Sequence, residues 1–446
     1  MKQSDKIVLF FLSLYILLGN VLVQYFHSVN FTFDSGIYWL PQYALRNNFL
    51  ANVWHLHINP PLLNIVYGIV TKTGLSFYTF CSIIFPLLQI AATLLFYQTL
   101  IVKEVKYAKL FTVIFFANPL HFIWFNFYYY PAIIFFFSSL IVFILFTTHN
   151  TNRKLILLSL VFVIISMLRA SYHPFWIALL ILSFRKKVKT SMLLIALSFL
   201  LIPILWYTKN YTQYGFWSGS SLLGQNISAH YPDHLRNEID NFNSRGRYKL
   251  VNNYRGLYNE NDPLIQKYST DELLNDTNTL HNVRTVLISK GYQKEVEQYF
   301  NWKYSALTIA YGTFSFFGSP AIDEYNNKSE KPFTWNNSFL IDWFDLPNIK
   351  IHSSNGGYSF IRLSWYTIFY PITILFLLYN YRCLSFEIKF LLHWMIIVGV
   401  IYCTIDPNEA SRMRYETEPV FYFLVVWVVG NMTKIGVALW KRDDSC

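Results

Sequence analysis

The sequence predicts a polytopic α-helical membrane protein of about ten transmembrane helices with a large α-rich extracytoplasmic loop domain. Three observations carry this reading. Of 446 residues, 54% are hydrophobic and 20% aromatic while only 14% are charged, against about 25% charged in a soluble domain. Apolar runs of roughly 20 residues, enough to cross a bilayer, recur along the chain. The net charge of +11 gathers in short loops between those runs, as Lys and Arg do on the cytoplasmic side of membrane proteins. The same numbers exclude disorder, collagen and coiled coil, and 4 Cys are too few for a small disulfide scaffold.

The first run, 7–26, follows Lys2 and Lys6 and lacks a small-residue cleavage site, so it reads as a retained helix and not a removed signal peptide. Further runs fall at 77–100, 107–125, 131–148, 154–170, 172–184, 190–207, 361–381, 386–405 and 415–438. The segment 172–184 is short and suits a tilted or re-entrant half-helix. With the N-terminus inside, the short inner segments hold 16 Lys and Arg and the short outer segments, with Arg362, hold six. That skew places both termini in the cytoplasm. The outer loop 27–76 contains an apolar stretch from Pro60 to Val70, expected to lie at the interface as a short helix. Residues 208–360 carry 14 basic and 15 acidic residues and many aromatics, which fits a small folded outer domain. The chain therefore divides into a seven-helix module 1–207, the extracytoplasmic domain 208–360 and three C-terminal spans in 361–446. No internal repeat or low-complexity tract is apparent.

Few charges lie within the spans, and the polar groups of interest converge on their outer ends. Asp34, in Phe33-Asp34-Ser35-Gly36-Ile37-Tyr38, fits either a helix cap or a general base at the membrane surface. His55 and His57 precede Asn59-Pro60-Pro61, where the prolines open a helix. Their spacing puts both on one face of an extended segment; a metal would need a third ligand that the sequence does not supply. Lys209 and Asn210, followed by Tyr214-Gly215-Phe216-Trp217 and serines, suit a phosphate and a sugar ring, or simply an interfacial aromatic belt. Arg169, Arg362, Arg412 and Arg414 stand on the side that the charge rule disfavours. Each one alone reads as snorkelling to headgroups. Four of them beside the other clusters point to phosphate binding by forked hydrogen bonds.

Taken in order, these motifs resemble those of the GT-C superfamily of membrane glycosyltransferases, especially its protein O-mannosyltransferase and aminoarabinose-transferase branch. Phe33-Asp34 through Tyr38 is similar to that family's acidic motif in the first outer loop. His57-Ile58-Asn59-Pro60-Pro61-Leu62 is similar to its His-x-Pro-Pro-Leu stretch with an inserted residue, and Lys209-Asn210 resembles its exit motif. Arg412-Met413-Arg414-Tyr415-Glu416-Thr417-Glu418-Pro419 resembles the Arg-Tyr-x-x-x-x-Pro pattern that opens a late helix.

The resemblance implies a GT-C-like fold and inverting transfer of a sugar from a polyprenyl-phosphate donor to a glycan, lipid or protein acceptor. On it, Asp34 is the general base and Arg169, Arg362, Arg412 and Arg414 hold the carrier phosphate. Tyr38, His55, His57, Lys209, Asn210 and Glu409 are then expected at the substrates. Many relatives carry a second acidic residue where this chain has Ser35, so no metal and no other cofactor is expected. The implied setting is a bacterial inner membrane, or the endoplasmic reticulum of a eukaryote, with membrane lipids and no nucleic acid as partners. The rival readings are a lipid-linked glycan flippase, for which inverted repeats and interrupted helices would be expected, and an oligosaccharide polymerase.

Overall fold

The computed structural model of the protein describes residues 3–26, 40, 45–46, 49–57, 59–126, 130–221, 264, 286, 289–290, 302–317, 345–352, 360–405 and 414–440. In chain order the elements are α1 (Gln3–Phe26), α2 (Phe49–His55), α3 (Leu62–Lys72), α4 (Phe77–Val102), α5 (Ala108–Phe116), α6 (Leu120–Asn126), α7 (Tyr130–Thr147), α8 (Thr151–Leu168) and α9 (Pro174–Leu182). There follow α10 (Thr190–Ser198), α11 (Leu201–Tyr214), α12 (Trp302–Phe317), β1 (Asp345–His352), β2 (Phe360–Ser364), α13 (Trp365–Tyr379), α14 (Phe386–Ile405) and α15 (Glu418–Trp440).

This is an α-helical membrane protein. Among the described residues six helices are long and apolar enough to cross a bilayer: Gln3–Tyr25, Thr79–Val102, Tyr130–Thr147, Thr151–Leu168, Thr190–Tyr214 and Phe386–Thr404. The pair α5 and α6 makes a seventh if counted as one bent span. The stretch 172–184 yields only the nine-residue α9, too short to cross, as its length suggested. Two features depart from expectation. The stretch 361–381 begins as a strand, because β2 pairs antiparallel with β1 and the helix starts at Trp365. Residues 107–125 are broken by a 52° bend between α5 and α6, where the sequence reading saw no interrupted helix.

The break has a local cause. Pro119 has no N–H to donate and disfavours helical backbone at Asn118 before it. Asn118 Oδ1 then accepts from Leu120 N at 3.2 Å and starts α6 afresh. At membrane depth a freed carbonyl must find a protein donor, and Tyr15 Oη of α1 donates to Ala117 O at 3.1 Å. The same logic applies in α4, where Pro86 leaves the Ser82 carbonyl without its helical partner. Gln24 Nε2 of α1 donates to that oxygen at 3.1 Å.

Amides then clamp α1 to its neighbours. Gln24 Nε2 donates to Asn126 Oδ1 at 2.8 Å, Asn126 Nδ2 to Asn20 Oδ1 at 2.8 Å and Asn20 Nδ2 to Gln89 Oε1 at 2.9 Å. The ladder joins α1, α6 and α4. The rest of the core is aliphatic and aromatic. α7 packs on α4, α8 and α15, α12 on α14, and α13 on α15.

Helix ends meet in two separate layers. In one, Lys109 before the first turn of α5 ends reaches Asp5 of α1 at 2.5 Å, Lys154 of α8 reaches Glu387 of α14 at 2.9 Å, and Lys103 lies over Phe146 of α7. The opposite ends of α8, α14 and α7 build the other layer, which holds the candidate site.

Candidate functional site

Five consecutive residues before and at the start of α15, Arg414 to Glu418, are all buried, none more than 2% exposed. Together they reach α13, α6, α7, α14 and the end of α8. Arg414 Nη1 pairs with Glu418 Oε2 at 3.0 Å across one helical turn, and its guanidinium lies over the rings of Tyr366 and Tyr370 of α13. Glu418 also accepts from the Tyr370 hydroxyl. The Tyr415 hydroxyl is 2.7 Å from Nδ1 of His121 on α6, and its ring stacks on Trp124. Glu416 forms an ion pair with Arg169, which follows α8. Tyr402 of α14 donates to Glu416 Oε2 at 3.3 Å, and Ser138 of α7 donates to the Glu416 carbonyl at 2.8 Å.

Arg169 is 6% exposed. Its guanidinium lies over Tyr130 of α7 at 4.5 Å and over Tyr402 at 5.5 Å. Two arginines and two carboxylates are therefore interleaved with tyrosines at the helix ends. Burying four charges costs several kcal/mol per ion unless pairing and hydrogen bonds compensate. Here both are supplied, and such buried ionisable groups in a membrane protein mark function more often than stability.

A second cluster sits where α11 ends. Gly215 closes that helix in the left-handed conformation, φ 76°, donating to Tyr211 O at 2.9 Å. Lys209, 5% exposed, donates to the Leu56 carbonyl at 2.6 Å and to Asn210 Oδ1 at 2.8 Å, with Trp206 against its ammonium at 3.8 Å. Asn210 Nδ2 donates to Ser218 O at 2.8 Å, and Tyr214 Oη donates to the His55 carbonyl at 2.7 Å. The fully buried His57 is 2.9 Å from Ser221 Oγ through Nδ1, and its carbonyl accepts from Ser221 N at 2.9 Å. The His55–Asn59 stretch is thus stapled to the end of α11 and the turn beyond it.

The two clusters share a wall. Tyr207 Oη donates to the carbonyl of Ala170, the residue after Arg169, at 3.3 Å. Gly219 is pressed so closely on both that a Cβ there would stand 2.9 Å from the Tyr207 ring and 3.0 Å from the Ala170 methyl. Beside Arg169 a small apolar groove of about 20 Å³ opens between α8, α9 and α14. Phe162, Trp176 and Trp394 lie along it, and Ser171, Tyr172 and Tyr402 line it as well. Ser171 Oγ is 3.2 Å from the Tyr402 hydroxyl. Tyr402 therefore belongs to the groove and to the ion-pair cluster at once.

Of the residues singled out from sequence, the structure gathers His55, His57, Lys209 and Asn210 into one cluster and Arg169 and Arg414 into the adjoining one. Arg362 does not begin a span; it lies on β2 in register with Lys350 of β1. Asp34, Tyr38, Glu409 and Arg412 lie outside the described residues. His55 and His57 gain no third ligand: no group of three His, Cys, Asp or Glu suited to a metal occurs among the described residues. Sequence reasoning passed over Glu416, Glu418, Tyr402 and Tyr130. The Arg414–Glu418 spacing of one helical turn was a legible signal. Nothing local links Glu416 to Arg169, nearly 250 residues earlier. Comparison with protein-family models, with curated proteins and with solved structures returns no match for this chain.

Proposed function

We propose that this chain is an integral membrane glycosyltransferase that moves a sugar from a polyprenyl-phosphate donor to an acceptor hydroxyl on the extracytoplasmic face, with inversion. The observation that carries this reading is the juxtaposition at Tyr402. A small groove with the apolar lining that an isoprenoid unit would meet ends beside the buried Arg169, and the next cluster along offers the polar and aromatic groups that a sugar requires. In the reaction, Asp34 removes the acceptor proton as the hydroxyl oxygen attacks the anomeric carbon. The bond from that carbon to the phosphate oxygen breaks, and the oxygen keeps the electron pair. Arg169 is the arginine beside the groove and stabilises the developing phosphate charge; Arg414, Arg362 and Arg412 are further candidates for that role. Lys209 holds the Leu56 carbonyl against α11 and Asn210 holds the Ser218 carbonyl of the turn beyond it, which shapes the sugar side of the site.

The reading further places about ten spans around a GT-C-like module with both termini in the cytoplasm, in a bacterial inner membrane. α9 is then a half-helix beside the donor groove, and α13 and α15 complete the C-terminal spans. The bent pair α5–α6 favours the flippase as second reading, since interrupted helices line transport pathways. Against it, the break is sealed by Tyr15 and closed in by Phe115, Phe116 and Phe135 around His121. The test is sugar transfer from a polyprenyl-phosphate sugar in membranes containing the Asp34→Asn variant. A loss of at least about 100-fold is expected for a general base; full activity in a stably inserted variant would sink the assignment.

A further inference from the structure

Arg169 is already neutralised by Glu416, so an entering phosphate competes with a buried carboxylate for the same guanidinium. We infer that Glu416 is an exchangeable counter-ion: an entering lipid phosphate takes Arg169 from Glu416, and Glu416 takes up one proton from solvent as it is released. This rests on the proposed reading of the site as one for a lipid phosphate, and it adds the requirement that binding consumes a proton.

The argument follows from what faces Glu416. Its carboxylate meets Arg169 from the segment after α8 and the Tyr402 hydroxyl from α14, while Ser138 of α7 contacts only its carbonyl. On its own segment, Arg414 is engaged by Glu418 and packed on Tyr366 and Tyr370 of α13, and Tyr415 is bonded to His121 of α6. Tyr130 of α7 faces Arg169, and Tyr172 lines the groove beside Tyr402. The second arginine is thus committed to Glu418, and among the described residues Arg169 is the cation that pairs with Glu416. A carboxylate with no exposed surface does not persist as an anion without a counter-ion; it neutralises by binding a proton. As a carboxylic acid it gains a donor, and the Tyr402 hydroxyl that had donated to it can accept. Ser171, bonded to that same hydroxyl, lines the groove, so the rearrangement lies one hydrogen bond from the entering headgroup. Charge balances: the Arg169–Glu416 pair sums to zero, one proton enters with the phosphate dianion, and the bound site of Arg169, neutral Glu416 and dianion carries the single negative charge that remains.

Calorimetric titration of the detergent-solubilised full-length protein with farnesyl phosphate tests this. At about pH 8 the phosphate is already a dianion, so it has no proton of its own to lose on binding. Repeating the titration in two buffers of different ionisation enthalpy gives the number of protons taken up. The wild type is expected to take up about one proton per phosphate bound. Glu416→Gln keeps the shape, removes the competing charge, and is expected to bind about tenfold more tightly with no proton uptake. Binding by the wild type without proton uptake overturns the exchange while leaving the phosphate reading intact, and needs no variant to fold. Equal uptake by wild type and a folded Glu416→Gln variant overturns the assignment to Glu416. No binding by either protein overturns the phosphate reading of the site and the exchange together.

Discussion

Removing Arg169 and removing its whole ion pair should have different consequences, because the cost of a buried charge lies in leaving it alone. Arg169→Ala strands Glu416 at zero exposure and should destabilise the protein by about 3–5 kcal/mol. The double change Arg169→Met with Glu416→Leu replaces the pair by apolar groups and should recover most of that loss. Denaturation of the purified variants gives both numbers; a double variant as unstable as the sum of the singles would show that the pair is not the unit. Gly219 makes a second prediction at this scale. Its hydrogen faces a gap that a methyl cannot enter, with Tyr207 and Ala170 both at 3.0 Å or less from a Cβ. Gly219→Ala should push the turn away from the Ala170 carbonyl and lower transfer activity with little change in overall stability. Unchanged kinetics would mean that the two clusters act independently.

At the scale of elements, Pro86 and Pro119 explain two of the polar side chains that α1 carries. Pro86 frees the Ser82 carbonyl, and the break at Pro119 frees that of Ala117 because His121 N turns to Asn118 O; Gln24 and Tyr15 of α1 answer them. In a bilayer no water stands in for a missing donor. Tyr15→Phe and Gln24→Leu should each cost about 1 kcal/mol in stability, and Asn20→Leu should do the same by cutting the amide ladder. Thermal unfolding of the three variants checks this; a neutral Tyr15→Phe would show that the bend between α5 and α6 is held by packing alone. The prolines were legible in the sequence, and the break at Asn118-Pro119 follows from backbone sterics. It was read through because the flanking residues are apolar enough to form one uninterrupted run. Likewise Phe360-Ile361-Arg362-Leu363-Ser364 alternates apolar and polar residues in the strand pattern, yet it adjoins an apolar helix and was absorbed into that span. Arg362 was placed wrongly for this reason.

For the whole molecule, helix alternation and contacts agree on two polar ends. Lys109, Lys154 and Lys187 contact partners at one end, Asp5, Glu387 and Phe386 respectively. Arg169, Lys209 and Arg414 occupy the other. Single cysteines at Lys187 and Trp217, in a background lacking Cys383 and Cys446, should react with an impermeant thiol reagent from opposite sides of the membrane. Labelling of both from one side would overturn the proposed topology and place the groove's polar end in the wrong compartment for an extracytoplasmic acceptor.

By itself the sequence determined that the chain is helical and spans a membrane, where most helices lie, which ends carry basic residues, and which polar residues are out of place in such a chain. Those properties follow from composition, from the length a bilayer demands and from local backbone rules, all of which act within a few residues. Only the tertiary structure decided the distant partners: that Arg169 is held by Glu416, that Lys209 grips the Leu56 carbonyl, and that Tyr402 joins a groove to an ion pair. The physical reason is the low dielectric of the interior. It obliges every buried charge and every freed carbonyl to find a partner, and that partner comes from whichever helix the packing brings near, at a sequence distance that no local pattern records.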